Sequence, residues 1–193
     1  MMPVITDYIF GSELYDILLE QSKLWQWTYG KHSNVNTRNV RNWHLPFAGA
    51  RQSDFKEEQK PCEEELKKTN RLLYNIWKVI QGRITPQSNT TLYRCYANAH
   101  CALNPGEIHI DSQSDRALTL VIFVCDDWKA EWGGELIVYE RDKSEIMKAI
   151  MPKRGRAVLF PGLYPHIAHA PPQWCQELRV TLMYKFELDE VCL

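Results

Sequence analysis

In EIHIDSQSD, residues 107–115, a histidine and an aspartate stand two positions apart, His109 and Asp111, within a stretch that otherwise reads as short and extended. Successive side chains of a strand point to opposite faces, so this imidazole and this carboxylate share a face and are presented side by side. The pair is half of a metal site or a solvated surface pair, and the remaining ligands decide between the two.

A second histidine must come from a distant strand. LYPHIAHAP offers His166 and His169, 57 and 60 residues beyond His109. Three residues apart, they fall on opposite faces of a straight strand, so only one points at the metal. Two imidazoles and one carboxylate leave three adjacent positions of an octahedral metal open, a geometry that suits non-haem Fe(II). Further on, ELRVTLMYKF carries Arg179 inside an otherwise apolar run. A buried arginine is costly without an anion, and its planar fork matches a carboxylate in bidentate fashion. Thr181 shares its face and offers a hydroxyl to the same anion.

These residues need a scaffold, and the chain changes character near residue 88. Before it, GSELYDILLEQSKLW suggests an amphipathic helix over about 12–25 with Ser12 as N-cap. CEEELKKTNRLLYNIWKVIQG reads as one further helix, with Leu66, Leu73, Ile76, Trp77 and Ile80 on one stripe and Gly82 as its terminating residue. The long polar segment between them, about residues 31–58, reads as an ordered flap carrying Trp43, His44 and Phe47. Residues Arg38 and Arg41 in it suit a wall that orders over substrate.

After residue 88 eight short extended runs follow, at 90–97, 107–111, 117–125, 134–140, 146–152, 156–161, 166–170 and 178–187, separated by turns such as NPGE, WGG and KRG. The expected fold is α+β: a jelly-roll (double-stranded β-helix) core over about 89–187 with supporting N-terminal helices over about 1–88, in a single domain spanning 1–193. Gly133 and Gly134 are expected to serve a tight turn or a close approach within the sheet. His32, His44 and His100 read most simply as loop or surface residues, and Lys153, Arg154 and Arg156 as a solvated basic turn.

Composition narrows the partners. Against 23 Lys+Arg stand 24 Asp+Glu, a formal charge of −1, so no basic footprint argues for nucleic acid or a membrane surface. No run of eighteen apolar residues and no signal-like start appears, and a cytoplasmic location is expected. The six cysteines lack paired C-x-x-C spacing, and most are expected to be reduced and several buried. The expected partner is a small molecule or a polypeptide segment.

Taken in order, YRCYANAHCALNPGEIHIDSQSDRALTLVIFVCDDW, EWGGELIVY, PKRGRAVLF, YPHIAHA and LRVTLMY resemble the Fe(II)- and 2-oxoglutarate-dependent dioxygenases, over roughly residues 92–187. Within them the chain is similar to the prolyl 4-hydroxylase-like branch. The resemblance implies His109, Asp111 and His166 as iron ligands, His166 because it follows a proline directly. It matches Arg179 to the residue that grips the distal carboxylate of 2-oxoglutarate, and Tyr96 and Thr119 to the lining of the cosubstrate pocket. It implies Fe(II), 2-oxoglutarate and dioxygen, with ascorbate as a further candidate. Phe123 departs from a frequent tyrosine, and the interval from His166 to Arg179 is longer than in close members. With Asp111 in place a halide would lack a coordination site, so hydroxylation is expected over halogenation. The leading expectation is a hydroxylase of a peptidyl, prolyl-type residue. Its alternatives are the same chemistry on a free amino acid, natural product or sugar intermediate, and a non-catalytic jelly-roll sensor or binding module.

Overall fold

A computed structural model describes residues 2–31, 41–49, 60–84, 89–102, 104 and 106–189. Its elements are β1 (Val4–Asp7), α1 (Ser12–Ser22), β2 (Thr28–Lys31), β3 (Asn42–Ala48), α2 (Glu63–Thr69), α3 (Arg71–Ile84), β4 (Thr90–His100), β5 (Ala117–Phe123), β6 (Leu136–Tyr139), β7 (Ile146–Ile150), β8 (Arg156–Pro161), β9 (His166–Ala168) and β10 (Arg179–Leu188). A seven-stranded sheet in the order β1-β8-β5-β10-β4-β3-β2 faces a three-stranded sheet in the order β7-β6-β9, with antiparallel pairing throughout. This is the expected jelly roll.

The apolar runs are buried on both faces because the large sheet is covered twice. In β5, Leu118, Leu120 and Ile122 pack with Tyr15, Leu18, Leu66, Ile76 and Trp77 of the helices, whereas Val121 and Phe123 pack with Leu136 and Val138 of the small sheet. The alternation of a strand thus separates a supporting core from an inner face, and the inner face carries the polar residues. The same parity sends Leu182, Tyr184 and Phe186 of β10 outward to the helices.

Several expectations change. Helix α1 begins at Ser12 with Gly11 as N-cap, since the backbone of Gly11 has φ 89° and no side chain caps the helix. The stretch 62–82 forms two helices because Asn70 leaves the helical region at φ −150° and its Oδ1 accepts the Leu73 N–H at 3.1 Å, starting α3 anew; Gly82 lies inside α3. Residues 107–111 form no regular strand: His109 makes an isolated bridge to His166, with N–H to O distances of 3.1 and 2.9 Å. Residues 42–48, expected within a flap, are the strand β3, paired with β4 on one side and β2 on the other. The rest of the expected flap, 32–40 and 50–58 with His32 and Arg38, lies outside the described residues, as does Cys192. The other five cysteines are free thiols, four of them buried.

The basic turn is more than solvated. Lys153 and Arg156 pair with Asp7 on β1, at 2.6 and 3.2 Å, and Arg154 pairs with Asp16 of α1 and with Asp126. No described helix is long and apolar enough to cross a membrane.

Candidate active site

The inner face of the large sheet lines a pocket through residues that recur at every second position. On β10 these are Arg179, Thr181, Met183 and Lys185, and on β4 Arg94, Tyr96, Asn98 and His100. The ladder sets them in rows: His100 beside Arg179, Asn98 beside Thr181, Tyr96 beside Met183 and Arg94 beside Lys185. Asn42 and His44 of β3 extend the wall, and His109, His166 and Ala168 close it from the opposite side.

His109, Asp111 and His166 meet at one end, with one ligand atom from each lying within 4.8 Å of the others. Both imidazole Nε2 atoms stand 3.5 Å from the Asp111 carboxylate, His109 on Oδ1 and His166 on Oδ2. Each ring is oriented from behind: Nδ1 of His109 donates to the Glu107 carbonyl at 2.8 Å, and Nδ1 of His166 donates to the Tyr164 carbonyl at 2.9 Å. A carbonyl accepts only, so the proton sits on Nδ1 and the Nε2 lone pair points at the carboxylate. Burial lowers the pKa of His166 from 6.5 to about 4, so this ring is neutral at physiological pH.

Asp111 is held from two further sides. Thr119 Oγ1 donates to Oδ2 at 2.8 Å, and Lys185 Nζ lies 2.6 Å from Oδ1. Burial alone would raise the pKa of Asp111, but the Lys185 ammonium beside it holds it well below the usual carboxylate range. An ionised oxygen donor and two imidazole nitrogen donors in one corner fit Fe(II).

At the other end of the pocket Arg179 is 2% exposed, with its Nε donating to the Gly134 carbonyl. Burial lowers its pKa to about 10, which still leaves it charged. Among the described residues its Nη2 meets no hydrogen-bond acceptor, so the fork keeps donor capacity for an anion. Thr181, 3% exposed, faces the same pocket. Phe123 lies under the guanidinium, 5.2 Å from ring centre to Cζ. Gly134 has φ 75°, and a Cβ there would sit 3.1 Å from Arg179 Cδ, so the glycine serves both a turn and a close approach.

Of the residues singled out in the sequence, His109, Asp111, His166, Arg179, Thr181 and Tyr96 come together around this pocket. Thr119 does not line it; its hydroxyl acts on Asp111 from behind. His169 stands apart, with Nδ1 3.8 Å from Glu135 Oε2 and its side chain 43% exposed. His44 and His100 are the opposite of surface residues, at 6% and 3% exposure, and both line the pocket. His44 bonds Asn98 at 2.8 Å, and His100 donates to the Asn104 carbonyl at 3.0 Å. Lys185 and Arg94 were not singled out at all, although each keeps strand parity with a residue that was: Lys185 lies six positions after Arg179, and Arg94 two before Tyr96.

The family model of the 2OG-Fe(II) oxygenase superfamily matches residues 81–184, more than half of the chain, and the chain belongs to that superfamily. It is a 2-oxoglutarate-dependent oxygenase, using Fe(II), 2-oxoglutarate and dioxygen. No curated protein matches it by sequence. Among solved structures it is similar in fold to an oxidoreductase of the 2OG-Fe(II) oxygenase family from Burkholderia pseudomallei, at 12% identity and TM-score 0.71, covering 96% of this chain and 85% of that one. A prolyl hydroxylase from Trichoplax adhaerens, in complex with a hypoxia inducible factor peptide fragment, matches at 15% identity and TM-score 0.60, covering 96% and 82%. HygX from Streptomyces hygroscopicus, with nickel, 2-oxoglutarate and hygromycin B bound, matches at 7% identity and TM-score 0.65, again covering 96% and 82%.

Proposed function

We propose that the protein hydroxylates an sp3 carbon, with His109, Asp111 and His166 holding Fe(II) and with Arg179 and Thr181 holding the distal carboxylate of 2-oxoglutarate. The observation that carries this reading is the pairing, in one pocket, of two Nε2 lone pairs aimed at a buried carboxylate with a buried guanidinium that still has a nitrogen to give. Iron with 2-oxoglutarate, when bound, supplies the activation of dioxygen, and the chain supplies orientation and shielding.

The carbonyls of Glu107 and Tyr164 hold the histidine protons on Nδ1 and leave Nε2 for the metal. Thr119 fixes the plane of the Asp111 carboxylate, and Lys185 keeps it ionised. Because Asp111 fills the third position, the reading favours hydroxylation over halogenation. Tyr96 lies between the two ends of the pocket, against the space a cosubstrate would cross.

For the group oxidised, the reading begins from a peptidyl, prolyl-type residue, supported by likeness to the Trichoplax prolyl hydroxylase in complex with its peptide fragment. The same scaffold appears in HygX with the small molecule hygromycin B bound, which supports a free metabolite as the second reading. Succinate release from 2-oxoglutarate, with mass spectrometry for the gain of one oxygen atom, tests both. Proline-containing peptides form one panel, and free amino acids and sugars the other. Oxygen gained by a free metabolite and by no peptide overturns the peptidyl reading; no succinate from any panel overturns the hydroxylase.

A further inference from the structure

We infer that the pocket holds a second anion site, built on Arg94, which binds a carboxylate of the substrate that is oxidised. Arg94 is a charged residue with 7% exposure on the inner face of β4. Among the described residues no carboxylate, carbonyl or hydroxyl bonds its guanidinium, which lies over the ring of Tyr96, 4.7 Å from ring centre to Cζ. Lys185, its neighbour in the ladder, has its charge committed to Asp111.

A guanidinium that lines a pocket with no carboxylate beside it offers its charge and planar fork to an anionic ligand. An aromatic face attracts the cation but offers no acceptor in the plane of the fork, so the five N–H donors keep their capacity for a planar bidentate partner. A β-bulge marks the spot. The register of β4 against β10 slips between Lys185 and Phe186, with Arg94 and Leu92 as their partners, so that Tyr93 is the extra residue. Bulges recur beside active sites, where they re-aim a side chain.

The anion cannot be the distal carboxylate of 2-oxoglutarate if Arg179 holds it, and in that respect the inference rests on the function proposed above. Arg179 pairs with His100 and Lys185 with Arg94, six ladder positions apart. At the rise of an antiparallel strand this is about 20 Å between backbones, longer than one cosubstrate. Arg94 lies in the row of Lys185 and Thr119, the two residues that bond Asp111, so its ligand sits beside the metal end of the pocket. The carboxylate has two sources: the main-chain carboxylate of a free amino acid, or an acidic side chain next to the oxidised residue of a peptide.

The test uses the protein saturated with Mn(II) and 2-oxoglutarate and reads thermal stability, independent of turnover. The probes are free L-amino acids including proline, the same amino acids as amides, and capped dipeptides in which proline is followed by Glu or by Gln. The expected result is stabilisation by a free amino acid or by the Glu dipeptide, with none from the matching amide or Gln form. Arg94→Gln should weaken that response about ten- to a hundredfold in affinity, and Arg94→Lys should retain part of it, while both variants keep the response to 2-oxoglutarate. Equal response to amides, an unchanged response in Arg94→Gln, or no response to any carboxylate overturns the inference. Loss of the 2-oxoglutarate response in Arg94→Gln also overturns it, by making Arg94 the cosubstrate clamp. Failure of the parent protein to respond to 2-oxoglutarate overturns the underlying reading instead.

Discussion

Thr119 and Asp111, on different segments of the chain, are joined by a buried hydrogen bond of 2.8 Å from Oγ1 to Oδ2. Partners of this kind behind a metal ligand set its orientation, and their loss typically costs 10- to 100-fold in metal affinity. Thr119→Val keeps the shape and removes the donor. Titration calorimetry with Mn(II) should show a loss of about that size, and affinity equal to the parent would place Asp111 outside the metal shell.

The choice between the two candidate histidines is read the same way. His166→Ala should abolish Mn(II) binding, whereas His169→Ala, removing a side chain 43% exposed beside Glu135, should leave it intact. The reverse pattern would move the third ligand to His169.

Arg179→Met addresses the cosubstrate. A ligand at a hundredfold excess over its dissociation constant stabilises by about 2.7 kcal/mol, worth roughly 5–10 °C in a chain of this size. With Mn(II) present, 2-oxoglutarate should raise the parent melting temperature by that amount. The variant should lose most of the rise and keep its response to metal; a full rise in the variant would remove Arg179 from the clamp.

His100 carries a pH dependence. Burial first, and Arg179 next, lower its pKa from 6.5 to about 4. Between those values the unfolded chain takes up a proton that the folded chain refuses, so stability falls as the pH drops through this window and levels off below it. His100→Asn cannot titrate. Thermal melting of the metal-free protein from pH 7.5 downward should therefore show a shallower acid slope for the variant than for the parent, and identical slopes would mean that His100 is protonated in the fold.

The break between α2 and α3 is tested by Asn70→Ala, which removes the acceptor of the Leu73 N–H. A lost N-cap costs about 1 kcal/mol, or roughly 2–4 °C here. Melting unchanged within a degree would show that packing alone starts α3.

The residues legible in the sequence were those whose chemistry conflicts with their surroundings. Arg179 within LRVTLMY announces itself, because a charge in an apolar run needs a reason, whereas His109 and Asp111 were paired by strand parity and singled out only with His166 and Arg179 in order behind them, although 107–111 form no regular strand. Lys185 obeys the same parity as Arg179, but near the end of a strand a lysine reads as solvated, and only the fold reveals that Asp111 lies opposite. Arg94 was hidden likewise by an uneventful neighbourhood. The strand β3 was illegible for a different reason: Pro46 stands opposite Tyr96, and the register slips just beyond it, so NWHLPFA carries the marks of a loop although a partner strand holds it. Asn70 could have been seen as a cap, since Asn is favoured there, but the apolar stripe runs straight through the break and outweighed it.

The place of β10 in the large sheet bears on how the chain is made. It is the last described strand in chain order, yet it lies between β5 and β4, joining β1-β8-β5 to β4-β3-β2. While a nascent chain has emerged only as far as β9, the sheet exists as two halves, each with a long unpaired edge where β10 belongs. Such edges template pairing with other chains, and long-range pairings of this kind form slowly. Stalled or truncated synthesis short of residue 179 would therefore yield an aggregation-prone species. The strand that joins the halves is also the one that brings in Arg179, Thr181 and Lys185, so closure of the sheet and assembly of the pocket are a single event.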